Sequence, residues 1–285
     1  MKAVIAAAIA LAGTAGALAA PAPVVPRGQF LVSNRDGQLL VVDGSGHVRR
    51  KLPFARQGCC QVELAADRRH AFVSVRRAEV PVLLEVDLAS GRARRLAAGG
   101  SPALSPDGRR LAYYAVSFEN DILYRTGLVI RDLATGRSHL IRFAEPAVWG
   151  NPPEVLINWS PDGQKLALVG WDRRYGGQLY VVDVDHARTI DSQPSLGHLL
   201  APVFLDGRTV LTLANYCIGS HQQMVEVAVG DGVRKAFATL PEPPESLRRI
   251  APGTFVATTP DGFLLRFSKG RVRRLGTGTY YSVSG

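Results

Sequence analysis

One eight-residue phrase occurs twice in this chain, as Ser105-Pro106-Asp107-Gly108-Arg109-Arg110-Leu111-Ala112 and as Ser160-Pro161-Asp162-Gly163-Gln164-Lys165-Leu166-Ala167, with weaker copies around Asp67 and Asp206. Proline fixes φ at the second position, aspartate bonds back to its own backbone, and glycine takes the left-handed conformation. Each copy is therefore a tight turn that feeds straight into an apolar strand. A turn and strand recurring at intervals of this kind mark a repeat protein. The residues of the phrase are turn-makers first, so Asp107 and Asp162 are read as structural rather than catalytic or metal-binding.

A second recurring signal is a strand that ends in aspartate and a short turn. It appears at Asp43, Asp87, Asp132 and Asp183, with degenerate equivalents at Ala228 and Ser268, at spacings of 44, 45, 51, 45 and 40 residues. Four-stranded propeller blades run about 40–45 residues. From residue 28 onward, apolar runs of four to seven residues alternate with Gly, Asp, Pro and Asn turns, and no stretch sustains a 3.6-residue period. The fold class expected is all-β, a six-bladed β-propeller. Its first unit lacks an innermost strand, and residues 279–284 form a lone strand at the C-terminal end. Pairing the two closes one blade from both ends of the chain and removes open sheet edges.

Residues 1–19 read as a signal peptide, with Lys2 as the positive start, Ala3 to Leu11 as the apolar segment, and Ala17-Leu18-Ala19 as a small-x-small cleavage site. The competing reading is an uncleaved membrane anchor, since residues 3–20 carry no charge. No cysteine follows the cleavage site, which argues against a lipid anchor. Residues 20–27 read as an extended leader and 28–285 as a single propeller domain. Export to the periplasm, cell envelope or extracellular space is expected. The net charge of +10 comes from 29 Arg and 5 Lys. No recognition-helix or RNA-motif pattern accompanies it, so a nucleic-acid partner is not expected.

The Ser-Pro-Asp-Gly-x-x-Leu-Ala hairpin, together with Asp87-Leu88-Ala89-Ser90-Gly91-Arg92 and Asp132-Leu133-Ala134-Thr135-Gly136-Arg137, resembles the WD-like repeat of TolB-type β-propellers. The resemblance spans residues 28–285, and its motifs are strongest in the second to fourth units. It implies a periplasmic or secreted binding platform; related propellers position substrates for peptidases.

In such a propeller the a–b and c–d hairpins are short and share one face. The d–a and b–c connections, read as residues 54–60, 117–126, 143–154, 172–177, 193–199 and 215–221, occupy the other, and long loops on a rigid scaffold collect binding residues. Candidate ligand- or partner-binding residues on that face are Trp149, Asn151, Asp172, Arg173, Tyr175, Tyr216 and His221. Aromatics among amides and charges suit a ligand with flat apolar faces and a polar rim. Trp159 and Trp171, on strands, read as packing between blades.

Cys59, Cys60 and Cys217 are an odd count for an exported protein, and their pairing stays open between a vicinal bond, a bond to Cys217, and free thiols. Arg49, Arg50, Arg92, Arg94, Arg95, Arg234, Lys235, Arg271, Arg273 and Arg274 fall on outer strands. They protect edges against pairing, or attract anionic envelope polymer or membrane. The function expected is a monomeric, non-catalytic binding or scaffold protein for an envelope protein, peptide or polysaccharide, with no cofactor. The alternative is a propeller-type hydrolase or lactonase with an acidic or metal site at the channel mouth, calcium included. Glu119, Asp121, Glu145, Glu154 and Asp172 are the carboxylates it would draw on.

Overall fold

The computed structural model describes residues 22–34, 36–56, 59–77, 80–119, 122–148, 157–172, 176–193, 198–215, 222–232, 234–240, 246–251, 253–259, 262–268, 271–275 and 280–284. All regular structure among them is β. The chain opens with β1 (Phe30–Asn34), β2 (Gln38–Val42) and β3 (Val48–Ala55). There follow β4 (Cys59–Leu64), β5 (His70–Arg77), β6 (Val80–Asp87), β7 (Ala93–Leu104), β8 (Arg110–Glu119), β9 (Ile122–Asp132) and β10 (Ser138–Val148), hydrogen-bonded in that order as one seven-stranded antiparallel sheet. Three four-stranded meanders come next. They are β11 (Ile157–Trp159) to β12 (Lys165–Asp172), β13 (Gly176–Asp183) and β14 (Arg188–Gln193); then β15 (His198–Phe204), β16 (Thr209–Asn215), β17 (Gln222–Ala228) and β18 (Arg234–Leu240); then β19 (Ser246–Ala251), β20 (Thr254–Thr258), β21 (Leu264–Ser268) and β22 (Arg271–Leu275). The last strand, β23 (Tyr280–Ser284), returns to β1, with Leu31 opposite Ser284 and Val32 opposite Val283.

The seven-stranded sheet is two four-stranded units that share β7. Residues 93–98 pair with β6, and 99–104 pair with β8. The changeover falls at Gly99-Gly100. A Cβ on Gly99 would stand 2.1 Å from the Tyr114 carbonyl oxygen, a distance no side chain tolerates, so the strand can cross between units only with glycine there.

Sheets bury both faces, which is why their strands read as continuous apolar runs. In β2, Leu39 and Val41 enter a core with Val62, Val73 and Val86 of the next unit, while Leu40 and Val42 enter another with Val256, Leu264 and Leu275 of β20–β22. The same alternation sends Ala71 and Val73 of β5 one way and Phe72 the other. Each core cluster lies between or across neighbouring units, and one joins the β19–β22 sheet to the β1–β3 sheet. The innermost strands touch in the cyclic order β23, β4, β7, β11, β15, β19 and β23 again.

The repeated phrase builds the same turn twice. Gly108 N–H donates to Ser105 O and Gly163 N–H to Ser160 O, with both glycines at φ near +70°. The Ser105 hydroxyl donates to Asp107 Oδ1 at 2.5 Å and accepts the Arg110 N–H; Ser160, Asp162 and Lys165 repeat the pattern. The basic residue five places after the serine then reaches the next unit. Arg110 Nη2 donates to Gly163 O at 2.7 Å, and Lys165 Nζ donates to Gly207 O at 2.8 Å.

The second unit departs from this pattern, because Arg68 takes the left-handed position (φ 56°) that glycine fills elsewhere. Its side chain offsets the strain by donating to the carbonyls of Val25, Pro26 and Gln29, while its own carbonyl accepts the Val24 and Val25 N–H groups. Residues 22–27, within the segment read as an extended leader, are thus clamped to this turn together with Gly28 and Gln29, and Val25 is fully buried.

Turn hydrogen bonds hold seven aspartates below the ordinary carboxylate range. The His47 and Ser45 N–H groups, with Arg49, bring Asp43 to about 2. Ser90 lowers Asp87, Ser105 lowers Asp107, Thr135 lowers Asp132 and His186 lowers Asp183. At Asp67 and Asp162 partial burial acts the other way and is outweighed by similar bonds. A carboxylate with a depressed folded-state pKa adds stability above its unfolded value, and that stability is lost as pH falls through the folded value. The urea midpoint is therefore expected to hold down to about pH 4 and to drop steeply toward pH 2. Asp107→Asn/Asp162→Asn should flatten that drop. An equal midpoint at pH 5 and pH 2.5 in the wild type would rule out the turns as the acid-labile element.

Two segments read as loops are strand where they are described. Ser117, Phe118 and Glu119 pair with Tyr124, Leu123 and Ile122, so β8 stays paired through Glu119 and β9 from Ile122. β10 continues through Ala147 and Val148, opposite Arg125 and Tyr124. The two paired strand ends are rich in β-formers (Val116, Phe118, Ile122, Leu123, Tyr124), and pairing persists wherever the partner backbone continues.

Candidate functional site

β4, β7, β11, β15 and β19 each run into a short a–b turn and β23 ends beside them, so residues at or next to their ends arrive at one level. Glu63, Leu104, Trp159, Phe204, Ile250 and Ser284 come from β4, β7, β11, β15, β19 and β23 respectively. They line a cavity of about 390 Å³, together with Pro106 and Pro161 of the repeated turns, Asn158, Arg248 and Arg249. The cavity opens on the short-turn side, opposite to the face expected from loop length.

Its floor is a polar hub. Arg248 on β19 reaches past the strands next to it. Its Nη1 donates to Asn158 Oδ1 at 2.8 Å and Ile157 O at 3.3 Å, and its Nη2 meets Glu63 Oε2 at 3.3 Å and Pro102 O at 3.5 Å. Asn158 passes the link on by donating to Pro202 O at 2.6 Å. Glu63 Oε1 accepts the Leu104 N–H, the Ser284 hydroxyl bonds Glu63, and that hydroxyl also accepts the Leu64 N–H at 2.8 Å. β4, β7, β11, β15, β19 and β23 are thereby tied to one ion pair, whose side chains are 10% and 14% exposed. Burial pushes the Glu63 carboxyl above its ordinary value, with Arg248 and the Leu104 N–H opposing that rise. Desolvation is the larger effect, because the floor leaves the carboxylate little contact with solvent.

Around the floor the wall is apolar. Trp159 is buried with its Nε1 donating to Ala103 O at 2.9 Å, and Arg110 lies over its ring at 5.0 Å. Its packing role is the one its strand position suggested. At the rim, Pro106 and Pro161 are exposed and Arg249 and Ile250 half-buried. Glu63 is the one carboxylate lining the cavity among the described residues, and it is already paired.

A second cavity, of about 300 Å³, lies between the second and third units beside His70. His70 Nδ1 sits 2.6 Å from Asp67 Oδ2, and its Nε2 lies 3.7 Å from Asp87 Oδ2. Both carboxylates are already engaged by turn N–H groups. Among the described residues, no cluster of three or more His, Cys, Asp or Glu side chains forms a metal site, and no helix is long and apolar enough to cross a membrane.

Of the candidates drawn from the sequence, Trp149, Asn151, Arg173, Tyr175, Tyr216 and His221 lie outside the described residues, as do Cys217, Asp121, Glu154 and the segment 1–21. Asp172 closes β12 opposite Gly176, and Glu119 closes β8 opposite Ile122. Cys59 and Cys60 open β4, and Glu145 lies in β10. The side chains of these five are outside the described set. Glu63, Arg248 and Arg249 were not among the candidates. The one signal for Glu63 is a charge inside the otherwise apolar run Val62-Glu63-Leu64.

No protein-family model matches the chain. Among solved structures, TolB from Acinetobacter baumannii aligns with a TM-score of 0.64 at 15% identity, covering 90% of this chain and 65% of that one. A chain of the nidogen/laminin complex aligns at 0.61 and 10% identity, covering 90% and 97%. The β-propeller domain of the Trilobed protease from Pyrococcus furiosus aligns at 0.51 and 14% identity, covering 78% and 71%. The fold is a TolB-like β-propeller. The chain spans just under two thirds of the A. baumannii TolB and 29% of the tricorn protease it also matches. In a propeller the innermost strands surround a central channel, so the Glu63–Arg248 hub lies among those strands and the cavity above it corresponds to the channel mouth.

Proposed function

We propose that this chain is an exported six-bladed propeller, closed by β23 on β1, that acts as a non-catalytic binding protein of the periplasm or cell envelope. It receives a protein or peptide segment at the channel mouth on the short-turn face. The observation that carries this reading is the composition of the mouth. Apolar Pro106, Pro161 and Ile250 line it together with Arg249, above a floor whose only described carboxylate is paired with Arg248. Rigid rim residues lose little conformational freedom on binding, which favours association. An acid/base mechanism needs two groups poised to exchange a proton, and a single ion-paired carboxylate does not supply them. The hydrolase alternative is correspondingly less favoured. Export rests on the Lys2 to Ala19 pattern and on the likeness of fold to TolB.

The test is affinity capture from envelope extract with wild type, Arg249→Glu and Trp149→Ala. Arg249→Glu should lower partner yield by about tenfold or more, the scale of losing one charged contact at an interface centre, while Trp149→Ala keeps it. The reverse outcome moves the site to the 143–154 face. Equal yield from all three rejects both faces.

A further inference from the structure

Two neighbouring edges of the propeller share an unusual composition. β3 begins Val48-Arg49-Arg50-Lys51, and β22 begins Arg271-Val272-Arg273-Arg274, and all eight residues are exposed. The two strands are the outermost of adjacent sheets, joined by the core that packs Leu40 and Val42 against Leu264 and Leu275. Neither strand contains a carboxylate. Several of the cations are held in place. Arg49 pairs with Asp43 at 2.6 Å, Arg50 donates to Val24 O at 3.2 Å, and the Arg274 guanidinium stacks 3.2 Å from the Phe263 ring centroid. Anchoring of this kind lowers the entropy lost when a charged head engages a partner.

Protection of exposed edges accounts for the cations. It does not account for the valines. Only three large apolar side chains are strongly exposed among the described residues, and two of them are Val48 (44%) and Val272 (40%). Each stands in a run with three cations, once on each neighbouring edge. A second copy of the chain would bring like charges together. An anionic polysaccharide would use the charges and leave the valines in water. A bilayer surface uses both, because guanidinium groups meet lipid phosphates while short apolar side chains enter the headgroup boundary. We propose that the β3–β22 edge face is a peripheral docking surface for an anionic phospholipid bilayer, separate from the channel mouth.

The test uses the full chain and vesicles of phosphatidylcholine, with and without phosphatidylglycerol, in cosedimentation. Binding should require phosphatidylglycerol and weaken by about tenfold or more between roughly 50 and 300 mM salt, as screening shortens the reach of the charges. Arg50→Glu/Arg273→Glu should abolish binding. Val48→Ser/Val272→Ser, which leaves the charge unchanged, should weaken it about fivefold, the scale of two half-exposed valines leaving an apolar contact. Leu140→Ser, which alters the third exposed apolar side chain on a different sheet, should leave it unchanged. Thermal melts confirm that each surface variant still folds. The proposal fails if the wild type ignores phosphatidylglycerol, or if the charge-reversed variant still binds. It also fails if the valine pair changes nothing while binding to a soluble anionic polysaccharide such as heparin follows the same charge and salt dependence; the surface is then a polymer site.

Discussion

Deleting residues 280–285 should abolish cooperative unfolding and leave a chain that self-associates. β23 supplies the fourth strand of the β1–β3 sheet, and its Val283 is fully buried among Phe30, Val32, Val256 and Leu264. Losing that burial alone costs about 1.5–3 kcal/mol. The ladder to β1 has four paired positions, and each buried backbone group left unpaired adds about 1–3 kcal/mol. The Leu64 N–H loses its Ser284 acceptor as well. Together these terms rival the whole stability of a typical domain, about 5–15 kcal/mol. The exposed edge of β1, Phe-Leu-Val-Ser, is then a template for pairing with other chains. Val283→Asp should produce the same defect with the backbone intact. Urea titration followed by tryptophan fluorescence, with size-exclusion chromatography, reads both effects. A truncated chain with the wild-type midpoint and monomeric elution would mean that β23 does not close the fold.

That the last strand completes the first sheet was legible because a strand is missing at one end of the repeat and left over at the other. The turns were legible because Pro, Asp and Gly at fixed offsets have few conformations open to them. Arg110 and Lys165 occupy the same place in the repeated phrase and look like solubilising charges, yet each donates to the glycine carbonyl of the next turn. Arg68 hides a left-handed turn position behind a residue that rarely adopts one, and only its carbonyl partners in residues 25–29 explain it. The central cavity has the faintest signal in the sequence. Glu63 and Arg248 lie 185 residues apart on two units with weak or absent turn phrases, and nothing in local periodicity brings them together. Loop length is visible in a sequence, and the candidates it yields on the long-connection face lie mostly outside the described residues. A cavity made by six strand ends is not visible in that way.

The energetic weight of that central pair gives the second large effect. Arg248→Met should cost about 3–5 kcal/mol near neutral pH, because it leaves the Glu63 carboxylate buried without its counter-charge. It also strips the Ile157, Pro102 and Asn158 oxygens of their shared donor. Glu63→Gln should cost less, about 1–2 kcal/mol, since Arg248 retains those three acceptors and the glutamine oxygen can still accept the Leu104 N–H. The double variant should be less damaging than the two single costs added together, by at least about 1 kcal/mol, which identifies the pair as coupled. The pH dependence separates the causes. A carboxyl whose folded-state pKa is raised contributes stability that is fully present below its unfolded value and is lost as pH rises through the folded value. Removing Arg248 raises that folded value further, so the Arg248→Met penalty should shrink as pH is lowered from 8 toward 5. This runs opposite to the turn aspartates, which lose stability only as pH falls toward 2. A penalty identical at pH 5 and pH 8 would show that Arg248 acts through the three oxygens alone. Glu63 would then be a bystander in the floor of the channel mouth rather than the charge the hub is built to hold.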